Sequence, residues 1–324
     1  MTQPWIKNHT FHYSQFNDLN RLVALKTAKG LKISLCLPTL NEEKTIAKEI
    51  VILKSELVSR YPLLDEIVVI DSGSTDKTRE IARSFGADVY RAADILPHLG
   101  QHTGKGENLW KALFITQGDI IVYLDADIKN IHHRFAYGLI GPLLMDDTIK
   151  FSKAFYDRPI ADGRDKVRPT GGGRVTELVI RPMFSLFFPE LTQVIQPLSG
   201  EYAGYRQIFE RIPFPIGYGV ETSMILDIYQ QWGLEVIGQV DMEKRVHRNQ
   251  DTQALGKMAF AILKTFIGRK SAFGLIDLKT TMFDEIIQYR MVEGQIEPDK
   301  CLIPVFERPP MISVPEYRTK FKLN

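Results

Sequence analysis

The chain has 324 residues, 44% of them hydrophobic, enough for one large α/β domain with an appendage. Its 41 basic and 39 acidic residues leave a formal charge of +2, and no block of like charge is long enough to form a footprint for nucleic acid or a membrane surface. No window reaches the ~18 uninterrupted apolar residues of a membrane span, and residues 1–31 lack the pattern of a secretory leader. With Cys36 and Cys301 far apart and without metal-ligand spacing, the expectation is a protein acting on soluble substrates in a reducing cytoplasm.

From Lys32 onward the sequence alternates strand, loop and helix. Residues 33–37 form an apolar strand, followed by helical spacing from Glu42 to about Arg60. A second strand over 66–70 leads into Asp71-Ser72-Gly73-Ser74-Thr75-Asp76, a turn and cap for a helix over 77–85. A short strand near 88–90, a helix around 106–116 and a strand over 119–124 that is apolar on both faces follow. This alternation predicts a mostly parallel sheet covered by helices.

Beyond Asp127 the regularity loosens. Residues 163–174 are rich in glycine and charge, as in a loop over a ligand, and helices are expected over 175–188, 221–230 and 251–270. The Pro-rich tail, 304–315, reads as packed extended chain or a mobile segment. The organisation expected is an N-terminal extension (1–31), a nucleotide-binding half (32–130), an acceptor-binding half (131–250) and a helical C-terminal region with its tail (251–324).

In open α/β sheets ligands bind beyond the carboxyl ends of the strands. There the sequence places Pro38-Thr39-Leu40-Asn41-Glu42-Glu43, Asp71-Ser72-Gly73-Ser74 and Asp125-Ala126-Asp127. Two carboxylates one residue apart at a strand end suit a hard divalent cation, Mg²⁺ or Mn²⁺, shared with a diphosphate. A lone Asp-X-Asp would more often be a pair of loop carboxylates; the matching motifs upstream favour a nucleotide pocket.

Eight segments in order, LPTLNEEKTI, VIDSGSTDKT, GKGENLW, GDIIVYLDAD, TGGGRVTEL, QPLSGEYAGYR, FPIGYGVE and VHRNQ, resemble the retaining glucosyl-3-phosphoglycerate synthases between Leu37 and Asn249. That resemblance implies the GT-A nucleotide-sugar fold and a cytoplasmic, homodimeric, metal-dependent transferase. It implies a nucleotide-sugar donor, most simply UDP-glucose, and 3-phosphoglycerate as acceptor. Pro38, Leu40, Asn41, Glu42, Ser72, Lys105, Asp125 and Ala126 correspond to the donor site. Asp127 and His247 correspond to the ligands of Mg²⁺ or Mn²⁺, while Gly173, Arg174, Thr176, Arg245 and Asn249 belong with the acceptor. Asp127, Glu221 and Lys105 are the catalytic candidates.

Several of these have reasons of their own. Lys105 lies between two glycines before a helix, where an ammonium can reach a diphosphate. Glycines before Arg174 offer backbone N–H groups and a guanidinium to a phosphorylated acid. Glu221 opens a helix, where the dipole also favours a carboxylate. Ala126 replaces a serine common among relatives, which removes a hydrogen bond but no metal ligand. The alternatives are a mannosyl donor, a polyprenyl-phosphate acceptor at a membrane, for which no anchor is seen, and a non-enzymatic nucleotide-sugar sensor.

Overall fold

The apolar runs of the first half become the middle of an eight-stranded sheet. The computed structural model describes residues 4–157, 160–162, 166–168, 173–246 and 251–323. In chain order the first elements are α1 (Pro4–Asn8), β1 (Thr10–His12), α2 (Leu19–Ala28), β2 (Ile33–Thr39), α3 (Ile46–Lys54) and β3 (Glu66–Asp71). Next come α4 (Thr78–Ser84), β4 (Asp88–Arg91), α5 (Lys105–Ile115), β5 (Ile120–Tyr123), α6 (Arg134–Met145) and β6 (Phe151–Asp157). A short antiparallel pair, β7 (Ile160–Asp162) and β8 (Lys166–Arg168), precedes α7 (Arg181–Phe187), β9 (Tyr202–Tyr205), α8 (Arg206–Phe209) and β10 (Phe214–Pro215). The chain continues with α9 (Val220–Trp232), β11 (Ile237–Lys244), α10 (Thr252–Ala272), β12 (Glu285–Val292), β13 (Gln295–Leu302), β14 (Glu307–Arg308) and α11 (Pro315–Phe321).

The sheet order is β1-β11-β6-β9-β5-β2-β3-β4, parallel throughout except for β9, which runs antiparallel to both β5 and β6. The α/β, mostly parallel GT-A-like architecture is therefore as expected. Alternate residues of the central strands feed two cores. Cys36, Val68, Ile121 and Tyr123 pack on one side with Trp110 and Phe209, while Leu35, Val69 and Val122 pack on the other with α6. Burial on both faces explains the unbroken apolar runs.

Local details differ from the expectations or extend them. The helix expected from Glu42 is regular only from Ile46: residues 43–45 form a turn in which Thr45 N and Ile46 N both donate to Glu42 O, while Glu42 N and Glu43 N donate to Thr78 Oγ1 and Asp76 Oδ2. Residues 55–60 then continue as a π-helical turn. The N-terminal extension belongs to the sheet: β1 pairs with β11 at its edge, and the Phe16 ring lies where any Cβ on Gly141 of α6 would fall. The C-terminal region is not helical throughout, since β12 and β13 form an antiparallel ribbon.

The Pro-rich tail is packed. β14 pairs with β10, Trp110 Nε1 donates to Pro309 O at 2.8 Å, and Arg308 forms a two-pronged ion pair with Glu107 of α5 at 2.7 Å on each side. Glu107 is fully buried and also meets Lys111 at 2.9 Å, while Arg308 reaches Leu99 O and Gly100 O. A buried carboxylate that loses such a partner keeps its desolvation cost. Among the described residues no helix is long and apolar enough to cross a membrane.

Replacing Arg308 by methionine should lower stability by about 3 kcal/mol, read as a lower urea midpoint with an unchanged denaturant slope.

Candidate active site

Strand polarity decides which residues meet. β2, β3, β5, β6 and β11 end on one edge of the sheet, and reversed β9 begins there. That edge collects Asp125 after β5, Tyr156 at the end of β6, Glu201 just before β9 and Arg245 just after β11. Lys105 and Glu221 join them from the first turns of α5 and α9.

Arg245 is the hub. Its Nη2 donates to Asp127 Oδ1 at 2.7 Å and Asp125 Oδ2 at 3.1 Å, its Nε stands 3.1 Å from Glu201 Oε1, and its Nη1 lies 3.3 Å from Tyr156 OH. Tyr156 OH in turn donates to Glu201 Oε2 at 2.5 Å. Lys105 Nζ bridges the other flank, 2.5 Å from Asp125 Oδ1 and 2.8 Å from Glu221 Oε1. Asp125 thus takes one cation on each oxygen. Its carboxylate lies so close to Gly200 that a Cβ there would fall 2.1 Å from Oδ2, so the glycine is required by the acid.

The charges respond to this crowding. Burial alone would push the Lys105 ammonium toward neutrality, but Asp125 and Glu221 overcome it and hold its pKa above the lysine range. Burial likewise opposes the Arg245 charge and is outweighed by Glu201, Tyr156 and the two aspartates. Glu201, inaccessible to solvent, has its pKa raised by burial against the pull of Arg245. Glu42 is pushed up to about 7, first by burial and then by Asp127, with Asp125 and Asp76 adding to it and the Thr45 hydroxyl opposing.

The expected donor loop is latched to the turn after β3. Asn41, left-handed at φ 59°, donates N–H to Ser74 Oγ at 2.9 Å and accepts from Thr75 N at 2.9 Å. Asn tolerates that backbone better than most residues. Pro38 and Ser72 are half-buried at the two strand ends, and Leu40 is exposed at the rim. Ser72 N donates to Thr39 O at 3.0 Å, and Asp71 accepts from Gly73 N and Ser74 N, which makes it a turn-forming residue. Ala126 is buried beneath the aspartates.

The glycines around Lys105 also serve a neighbouring strand. Cβ atoms at Gly104 and Gly106 would fall 2.3 Å and 1.8 Å from Ile216 O and Pro215 O, so both glycines admit the backbone at the end of β10. Gly173, at φ 82°, and Arg174 open a helical run through Thr176 that packs later on α10. Arg245, expected at the acceptor, is engaged by the carboxylates. His247 and Asn249 lie outside the described residues. Glu201 and Tyr156 were not singled out by sequence; the signal was an acid and a phenol at the ends of apolar strands.

Among the described residues, ion pairs join Asp125, Asp127, Glu201 and Glu221 to Lys105 and Arg245. Carboxylates are hard oxygen donors, the kind that suit Mg²⁺ or Mn²⁺. Among the described residues no three metal-ligating side chains stand close enough to hold a cation alone. Asp127, the more exposed of the two aspartates, would therefore share a cation with oxygens from a bound diphosphate.

Comparison with known proteins agrees with this geometry. Residues 34–140 match the family model described as Glycosyl transferase family 2. The chain is 54% identical over 320 residues to the glucosyl-3-phosphoglycerate synthase of Petrotoga mobilis, covering 98% of this chain and 97% of that protein. Among solved structures, the mannosyl-3-phosphoglycerate synthase of Rubrobacter xylanophilus superposes with a TM-score of 0.86 at 33% identity, covering 95% and 96% of the two chains. The glucosyl-3-phosphoglycerate synthase of Mycobacterium tuberculosis, in complex with Mn²⁺, UDP-glucose and phosphoglyceric acid, gives 0.77 at 38% identity, covering 90% and 94%. A pocket of carboxylates and two cations at the carboxyl edge of a GT-A-like sheet, and near full-length identity to an enzyme of this kind, establish that the chain belongs to the glucosyl-3-phosphoglycerate synthase family.

Proposed function

We propose that this chain transfers glucose from UDP-glucose to the 2-hydroxyl of 3-phosphoglycerate, with retention at the anomeric carbon. The observation that carries the reading is the convergence of Lys105, Asp125, Asp127, Glu221 and Arg245 at one sheet edge. The relatives supply the substrates: the Mycobacterium tuberculosis enzyme was solved with UDP-glucose and phosphoglyceric acid.

The roles follow from the charges. Asp127, with His247 by resemblance, would hold Mg²⁺ or Mn²⁺, which neutralises the diphosphate as it leaves. Lys105 keeps its charge because Asp125 and Glu221 flank it, so a fixed cation stands ready without reorganisation. Pro38, Leu40, Asn41, Glu42 and Ser72 would hold the nucleoside, with Ala126 beneath it. The start of the helical run at Gly173, Arg174 and Thr176, with Asn249, would hold the acceptor phosphate and bring its hydroxyl to the face from which the diphosphate departs. Glu221 would orient that hydroxyl, and Arg245, spent on three carboxylates, would act by fixing the acids. Asp125 and Glu221 are each held by the Lys105 cation, which weakens them as nucleophiles and supports front-face displacement over a covalent intermediate.

A cytoplasmic setting belongs to this reading, supported by the free thiols of Cys36 and Cys301. So does a homodimer. The outward face of the β12–β13 ribbon carries Ile287, Tyr289, Met291, Ile296 and Leu302, all exposed, with Glu285 and Lys300 on the same face. A two-fold partner would cover the apolar residues and set each acid against the other copy's lysine.

Purified protein with Mn²⁺ and 3-phosphoglycerate should convert UDP-glucose to an α-linked glucosyl product, identified by mass and anomeric NMR. GDP-mannose as the productive donor would overturn the sugar assignment, and a β-linked product would overturn retention. Lys105→Met should lower kcat by about 100-fold with a much smaller change in acceptor KM, measured by UDP release. A Tyr289→Glu, Met291→Glu double variant should sediment as a folded monomer where the unsubstituted chain sediments as a dimer.

A further inference from the structure

Residues 125–128 alternate between two environments. Asp125 and Asp127 turn their carboxylates into the pocket, whereas Ala126 and Ile128 are 3% and 1% exposed. The segment has passed the end of β5, so its backbone groups must find partners outside the ladder.

Those partners stand on α3. Thr45 Oγ1, at the start of the helix, donates to Ala126 O at 2.6 Å, and Glu49 Oε1, four residues later on the same face, accepts from Ile128 N at 2.9 Å. Lys48 Nζ adds a bond to Lys129 O at 3.1 Å. From the far side, Lys129 N donates to Val246 O, and Asn130 bridges Lys244 O and Val246 N. The aspartate loop is thus held between α3 and the strand end that presents Arg245.

Glu49 is costly where it stands. It is fully buried, its Oε2 has no hydrogen-bond partner among the described residues, and the helix packs through its apolar neighbours Ile46, Ile50 and Leu53. Burial, with Asp127 and Asp125 adding to it, raises its pKa well above the carboxylate range against the pull of the Ile128 amide and Arg245. A polar group retained in such a site must do something that packing does not. Its hydrogen bond goes to the amide that follows Asp127.

We propose that Glu49, seconded by Thr45, is a positioning residue that sets the Asp127 carboxylate through the Ile128 amide and so sets the affinity of the pocket for a divalent cation. The inference rests on the reading of Asp127 as a ligand of that cation. Because only the turn 43–45 separates the 38–42 loop from α3, one short stretch of chain joins the proposed nucleoside contacts to the clamp on the metal-binding acid.

The test compares the full chain with Glu49→Gln, Glu49→Leu and Thr45→Val. Mn²⁺ binding in the presence of UDP is measured from the electron paramagnetic resonance of free Mn²⁺, alongside acceptor KM. Glu49→Leu should weaken Mn²⁺ binding by about 10–100-fold, the range for lost support of a metal ligand, whereas Glu49→Gln, which keeps an acceptor, should stay within about threefold. Acceptor KM should be unchanged in both. A folded Glu49→Leu variant that binds Mn²⁺ normally overturns the proposal, as does a glutamine variant as weak as the leucine one. If Glu49→Leu fails to fold by circular dichroism, Thr45→Val decides: weaker Mn²⁺ binding supports the clamp, and normal binding overturns it. Failure of the unsubstituted chain to bind Mn²⁺ with UDP overturns the proposal together with the Asp127 assignment. Binding without glucosyl transfer overturns only the proposed reaction.

Discussion

The site depends on one buried guanidinium. The Asp125–Asp127 pair and Glu201 arrive from different parts of the chain, and without a cation between them their mutual repulsion in a poorly solvated edge would drive protons on or side chains apart. Arg245 meets all three, and its planar, permanently charged fork suits that task better than the single point charge of lysine. Lys105 performs the smaller duty of joining Asp125 to Glu221. The acids are thereby gathered at one edge, at the cost of a network in which losing Arg245 leaves the buried Glu201 without its cation.

Much of this was legible because the informative residues follow strands directly. The motifs after β2, β3 and β5 sit where a parallel sheet puts its carboxyl ends, so local spacing sufficed to bring Asn41, Ser72, Asp125 and Asp127 to that edge. The opening of α9 by Glu221 was legible from the same local logic. Partners were harder. Glu201 precedes a strand, and only reversal of β9 within an otherwise parallel sheet carries it to the edge where Arg245 ends up. Nothing in the spacing of either residue encodes that reversal.

Other differences have the same cause, since short-range pattern cannot register what a distant segment needs. The helix after β2 is regular only from Ile46, after a turn whose first amides are tied to Thr78 and Asp76 in the next loop. Gly104 and Gly106 look like phosphate-binding glycines, and the backbone at the end of β10 also needs them. The alternating residues of β12 and β13 carry exposed apolar side chains on one face, a pattern that local reading takes for buried structure.

The hook between Arg308 and Glu107 joins residues 201 positions apart and grips the helix that begins with Lys105. Its effect reaches back to synthesis. The sheet edge, both aspartates and Arg245 all precede residue 308 in the chain, so they are synthesised before α5 can gain this restraint. Folding from the N-terminus is the common order for growing chains. Here it means that the helix bearing Lys105 gains this anchor after the sheet edge around it has been laid down, so the frame of the site precedes one of the restraints on its lysine-bearing helix.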